Sequence, residues 1–268
     1  MNVSKTLPSF STIRSLWVIG ILGMVGASRA EERSGALPPH LVAARALLAA
    51  ITPETNLYTA SPSRIVWADQ SGKGEPAVNH SVCSSFGALV LRKCYGIDKE
   101  GAIALFGEVA PEADDFFVAM RDSGRFELAP TVTDLRAGDF LTVDYLSKKA
   151  IPTGHVMLLD GPARRIAEHD SKRLPWPQGD EPSEWDSPTL IEWHVAVIDS
   201  SKSPHGEGDT RRRANADGSD DNGLGRGDLR ILTDPSGKMV GYTWSTSPNS
   251  RLRSVKERPM IAGRYLTS

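Results

Sequence analysis

The chain has 268 residues, 40% of them hydrophobic and 24% charged, with a formal net charge of −2. That length accommodates one large domain or two small ones, and the composition belongs to a chain that buries a core, which excludes disorder as the default. A near-neutral, mildly acidic body gives no electrostatic reason to expect nucleic acid or an anionic membrane as a partner.

The first thirty residues read as a secretory signal peptide. Lys5 and Arg14 make a basic start, Leu16 to Ala27 is an apolar run, and Ser28-Arg29-Ala30 puts small residues at the two positions a signal peptidase reads. The run is shorter than the ~20 residues a bilayer span needs. Cleavage near Glu31 is therefore expected, with an uncleaved anchor as the alternative. The product would be secreted or periplasmic, with no membrane span after signal removal, and is expected to be a monomer. Residues 31–268 are expected to form a single domain.

Pro38 to Ala50 carries a proline at its start and Leu41, Ala44 and Leu48 at helical spacing. Residues 52–76 contain Tyr58, Trp67 and glycines, and read as a loop. In the next segment Phe86, Leu89, Val90 and Cys94 repeat with helical period and Gly96 is a stop. Ser81 or a neighbour would cap that helix, which puts Cys83 in its first turn. Asp98 to Phe106 and Glu112 to Arg121 read as two further helices.

After Pro130 the period changes to that of strands, at 139–145, 155–160, 193–199, 229–233, 239–244 and 260–266, with Asp234-Pro-Ser-Gly237 as a hairpin turn. Helices first and short strands afterwards argue for an α+β fold, with N-terminal helices packed on an antiparallel sheet. Two polar stretches interrupt the strands. Residues 163–189 contain Trp176 and Trp185, and residues 202–228 are rich in Gly, Asp and Arg. Both read as surface loops bordering the site. Within the second, Arg211-Arg-Arg213 reads as solvated, Gly223-Leu-Gly-Arg-Gly227 as a flexible loop, and Asp217 to Asn222 lacks the spacing of a calcium loop.

The two cysteines, Cys83 and Cys94, fall on one predicted helix. Eleven residues at ~1.5 Å each separate them by roughly 16 Å, well beyond the ~7 Å between Cα atoms that a disulfide tolerates. A free thiol in an oxidising compartment points to chemistry. At a helix N-terminus, unpaired N–H groups and the helix dipole stabilise a thiolate, and the same groups can hold an oxyanion. The bland alternative is a buried core cysteine.

The order of the motifs beyond that helix favours chemistry. Arg136-Ala-Gly-Asp139 opens a strand, Thr153-Gly-His-Val156 opens the next, and Glu192-Trp-His-Val-Ala-Val-Ile-Asp199 ends a third in a carboxylate. Over about residues 67–201 this succession resembles the NlpC-type family of papain-like cell-wall cysteine peptidases. That resemblance implies a papain-like fold, Cys83 as nucleophile, His155 as general base and Asp199 as the third residue. It also implies a peptide or peptidoglycan-like substrate and no cofactor. Departures are Val82 where the family has Asp, Ser85 where it has Gly, and an acid as the third residue. A tyrosine upstream often approaches the site in that family, and Tyr58 and Trp67 are candidates. Trp67, Ser84 and Ser200 are the substrate-binding candidates.

The trio makes chemical sense, since imidazole takes the thiol proton and the carboxylate fixes the ring. His194 is five residues from Asp199 on one strand, hence on the opposite face, and reads as structural. His80 reads as a cap or loop residue, and His169 and His205 as solvated. No Cys/His spacing suits zinc, and no metal is expected. Three functions are compatible with this reading: a thiol hydrolase of amide bonds, possibly in peptidoglycan stem peptides, an inactive papain-like binding module for peptide or glycan, or a thiol hydrolase or acyltransferase acting on a non-peptide acyl group.

Overall fold

Pro39 begins α1 (Pro39–Ala50) where its missing N–H costs nothing, and Leu41, Ala44 and Leu47 turn one stripe inward. The computed structural model describes residues 36–70, 74–146, 152–176, 188–213 and 218–267. The leader assigned to residues 1–30 and Trp185 lie outside the described residues, as does Asp217. Residues Ala36–Ser268 form one compact unit.

Three short strands come after α1: β1 (Asn56–Tyr58), β2 (Arg64–Val66) and β3 (Val78–Ser81). They form a small sheet with β3 in the middle, parallel to β1 and antiparallel to β2. Residues 52–76 are therefore not all loop. Three residues are too few to show a period of two, and the order here comes from distant partners. The Asn56 side chain donates to the Leu224 carbonyl at 2.8 Å and accepts from the Leu224 N–H at 2.7 Å, pinning the small sheet to the end of the large one.

The helices α2 (Cys83–Tyr95), α3 (Lys99–Phe106) and α4 (Ala113–Asp122) form within a residue of expectation. Asp98 caps α3 through the Gly101 N–H, and Gly96 ends α2 in the left-handed region.

The remaining strands are β4 (Phe126–Leu128), β5 (Phe140–Asp144), β6 (Gly154–Leu159), β7 (Arg164–Asp170), β8 (Thr189–Ser201), β9 (Gly223–Thr233), β10 (Met239–Thr243), β11 (Arg253–Ser254) and β12 (Met260–Tyr265). They make one antiparallel sheet in the order β11-β10-β9-β8-β6-β5-β12-β4, with β7 pairing the first part of β8. The fold is α+β. Phe86, Val90, Phe116, Phe140, Val156, Leu158 and Ile198 fill the space between helices and sheet. Leu141, Val143, Met157, Leu159, Val195, Val197, Leu229 and Ile231 make a second core on the other face.

Both polar stretches differ from expectation. Residues 164–170 are a strand, polar because it is an exposed edge. Trp176 packs beside Leu190, Leu232 and Leu252 in a third small core. Within 202–228, the glycine run is the first half of β9, and Arg211 is one of the most buried side chains in the protein, at 1% exposure. Gly223, Gly225 and Gly227 share one face of β9. A Cβ on Gly225 would lie 2.4 Å from Arg211 Nε, and one on Gly227 would lie 2.3 Å from Asp209 Oδ2. The bare face is a trough in which the charged segment 205–211 sits. Charges can be buried there because each is paired.

Two further glycines explain the sequence motifs. Gly138 has φ +90°, and a side chain there would strike Pro38. A Cβ on Gly154 would lie 2.1 Å from the Val143 carbonyl oxygen, so only glycine lets β6 begin so close to β5, with His155 paired to Val143.

Gly225→Ala is expected to cost at least about 2 kcal/mol, because Arg211 cannot yield without breaking its ion pairs. Urea denaturation checks this, and a cost below about 0.5 kcal/mol would show that the trough is not tight.

Candidate functional site

Cys83 is the first residue of α2, directly after Val82 at the cap. Val82 has no side-chain oxygen to offer, so no side chain caps the first turn. Ser85 instead accepts from the Val82 N–H at 3.0 Å and donates to the Val82 carbonyl at 3.1 Å. That pair ties the cap residue and leaves the first-turn amides beside Cys83 for an incoming anion. Both cysteines are free. Cys94 is only partly buried, and burial raises its thiol above the ordinary value.

His155 and Asp199 share the second-core face of neighbouring strands, since His155 keeps step with Met157 on β6 and Asp199 with Val197 on β8. His155 Nε2 lies 2.5 Å from Asp199 Oδ2. With Nε2 committed to Asp199, Nδ1 is the nitrogen left for Cys83, which lines the same cleft as the ring. Burial opposes the charged imidazole. The Cys83 sulfur and the hydrogen bond to Asp199 outweigh it, and the ring is pushed up to about 10. For Asp199 burial likewise opposes the charge. His205 and Arg211, with the bond from His155, overcome it and hold the carboxyl well below its usual value.

A cleft of about 560 Å³ opens onto Cys83 and His155, walled by Tyr58, Ser84, Glu112, Tyr145 and Lys202 among others. A smaller chamber of about 230 Å³ continues past His155 towards Trp244, Tyr145 and His205. Burial, and then the neighbouring Cys83 and Asp199, raise the Tyr58 hydroxyl above its ordinary value, so it stays a protonated donor. Tyr145 is raised as well, first by burial, against the pull of Arg258.

The structure thus brings Cys83, His155, Asp199 and Ser84 together. It does not bring Trp67 or Ser200. Trp67 is buried in the core with Phe86 and Val90, and Tyr58 is the upstream aromatic that reaches the cleft. Ser200 is fully buried and donates to the Ser81 carbonyl at 2.7 Å, fixing the chain two residues before Cys83. The cleft is lined by its neighbour Ser201. His194 and His169 both bond Glu192, at 2.9 and 2.8 Å, so His169 is anchored rather than free in solvent. His80 lies on β3, paired with Leu57 and Arg64.

Three residues here are not foreseen by the sequence. His205 is buried, with Nε2 2.8 Å from Asp199 Oδ2 and Nδ1 2.6 Å from the Trp244 carbonyl. Arg211 Nη2 lies 3.0 Å from Asp199 Oδ1 and 2.7 Å from Asp209 Oδ2. Asp209 also accepts from the Arg211 Nε and from the main-chain N–H of His205 and Arg211. The available signal is Gly-x-Gly-x-Gly at the period of a strand, which demands that something pack on the bare face.

His155, Asp199 and His205 offer donor atoms within 4.8 Å of one another, a set that can hold a metal ion. Linear spacing could not reveal it. Both imidazole nitrogens, however, point at the same carboxylate oxygen at hydrogen-bond distance, and a guanidinium occupies the other oxygen. A metal needs its donors about 2 Å from a common point. The geometry is that of a hydrogen-bonded ion cluster.

The chain is 28% identical over 233 residues to "Uncharacterized protein R653" of Acanthamoeba polyphaga mimivirus, covering 85% of this chain and 96% of that one. No family model matches the chain, and no solved structure does.

Stability should track these charges. The contribution of Asp199 is present above the ordinary carboxyl value of about 3.9 and lost as pH falls through its lower native value. That of His155 is full below its ordinary value of about 6.5 and lost as pH rises towards about 10. Asp199→Asn would leave the buried Arg211 short of a counter-charge, at an expected cost of about 3–5 kcal/mol at neutral pH. Urea denaturation between acid and neutral pH reads both the cost and a flatter acid limb, and a loss under about 1 kcal/mol would contradict the cluster.

Proposed function

We propose that this chain is an exported thiol hydrolase of papain-like, NlpC-type architecture that cleaves an amide bond. The observation that carries the proposal is Cys83 at the uncapped start of α2, beside a His155 whose far nitrogen is fixed by a fully buried Asp199. Export rests on the leader-like residues 1–30. The peptidoglycan stem peptide as substrate class rests on that leader and on the ordered resemblance of the Cys, Gly-Asp and Gly-His-Val elements.

The proposed reaction uses this geometry directly. The proton that Cys83 and His155 share rests on His155 Nδ1, and the sulfur, as thiolate, attacks the amide carbonyl carbon. The oxyanion is met by first-turn N–H groups of α2 and by the Tyr58 hydroxyl. Val82, a departure from the family pattern, suits this role because it leaves those amides uncapped. The imidazolium then gives its proton to the leaving nitrogen, the C–N bond breaks, and a thioester remains on Cys83. Water, deprotonated by the same ring, releases the acid and restores the thiol. Asp199 holds the ring and its tautomer throughout.

The test is alkylation of Cys83 by iodoacetamide against pH, in the wild type and in His155→Ala, read by mass spectrometry with Cys94 as an internal control. Cys83 is expected to label rapidly well below pH ~8 and to slow at least about tenfold in the variant, while Cys94 is unchanged. Labelling of Cys83 that tracks Cys94 in both proteins would overturn the hydrolase and favour a binding module. If activation is seen, cell-wall peptides are the first substrates, and release of a new amine is the expected product.

A further inference from the structure

The His205 ring has an acceptor on each nitrogen. Nδ1 is 2.6 Å from the main-chain carbonyl oxygen of Trp244, which can only accept. Nε2 is 2.8 Å from Asp199 Oδ2, a carboxylate oxygen that already takes the bond from His155. A neutral imidazole has a single N–H and could satisfy only one of the two.

The charge balance points the same way. Asp199, Asp209 and Arg211 are buried together with side-chain exposures of 0%, 0% and 1%. With Cys83 and His155 counted as a thiolate–imidazolium pair that is neutral as a unit, two carboxylates and one guanidinium leave an excess negative charge in a buried site, which a protonated His205 cancels. The groups facing the ring are Asp199 on β8, His155 on β6 at 6.1 Å between ring centroids, Asp209 of its own segment, and Tyr145 across the smaller chamber. From β9 the Asp228 N–H donates to the His205 carbonyl.

We infer that His205 donates from both ring nitrogens, as an imidazolium, and, together with Arg211, is a positioning residue for the Cys83–His155 pair. This rests on the hydrolase reading in taking His155 as the base of Cys83. Three donors, His155 and His205 on Oδ2 and Arg211 on Oδ1, leave the Asp199 carboxylate one orientation, and so leave His155 one orientation. The cation also sets the potential at the site. Without it, a thiolate on Cys83 would form beside an uncompensated buried negative charge.

His205→Gln, which retains a donor but no charge, provides the test. The acid limb of the Cys83 alkylation profile is expected to move to higher pH by about one unit, with the labelling rate at the alkaline plateau retained. A side chain that merely fills space would lower the rate at every pH and leave the limb in place. An unmoved limb, with or without a slower plateau, would overturn the inference. The hydrolase reading is judged separately, on whether wild-type Cys83 is activated at all.

Should the variant not fold, nitrogen NMR of the wild type decides. The resonances assigned to the His205 ring are expected to show a proton on both nitrogens. A His205 ring carrying a proton on only one nitrogen would overturn the inference.

Discussion

Asp199 carries its charge in full burial, and a lone carboxylate there would simply take up a proton. Two imidazoles and a guanidinium prevent that, and they are delivered by separate parts of the chain: His155 by β6, His205 and Arg211 by the segment between β8 and β9. Much else in the fold answers the need to bring those donors in. The segment 205–211 must pass against the sheet, so β9 must be bare on that side, and glycines at 225 and 227 make it so, while Gly223 makes room for Asn56. Arg211 must be desolvated, so Asp209 is turned back to share it, held in place by the main-chain N–H groups of His205 and Arg211.

The helices and most of the long strands are legible because their information is local. Leu41 and Ala44, or the Asp98 cap with its Gly96 before it, mark an element without reference to anything distant. β1, β2 and β3 are not legible for the opposite reason. Each is three or four residues long and owes its order to partners such as Leu224, far along the chain. The same division holds in the site. Cys83, His155 and Asp199 stand at element ends that periodicity can place. Trp67 and Ser200 depart from expectation because being next to a functional residue, or aromatic, says nothing about which way a side chain turns. Trp67 turns into the core, and Ser200 turns to the Ser81 carbonyl.

The stretch 202–228 shows how hydrophilicity misleads. Arg, Asp and His in a row with glycines have the composition of a solvated loop, and most such runs are one. What distinguishes this run is that its charges sum towards neutrality within a few residues and that the glycines after it recur at every second position. The first means the group can be buried as a unit, and the second means there is a place to put it. Neither property is visible to a hydropathy scale, which scores residues one at a time.

Ser200 donating to Ser81, and Asn56 bridging to Leu224, join the first third of the chain to strands made much later. Cys83 belongs to the early part and the Asp199–His205–Arg211 cluster to the late part, so the two meet only after long-range closure, the slowest kind of step in forming a sheet. On the hydrolase reading, a chain interrupted before the end of β8 would carry Cys83 and His155 but lack the carboxylate that fixes the ring.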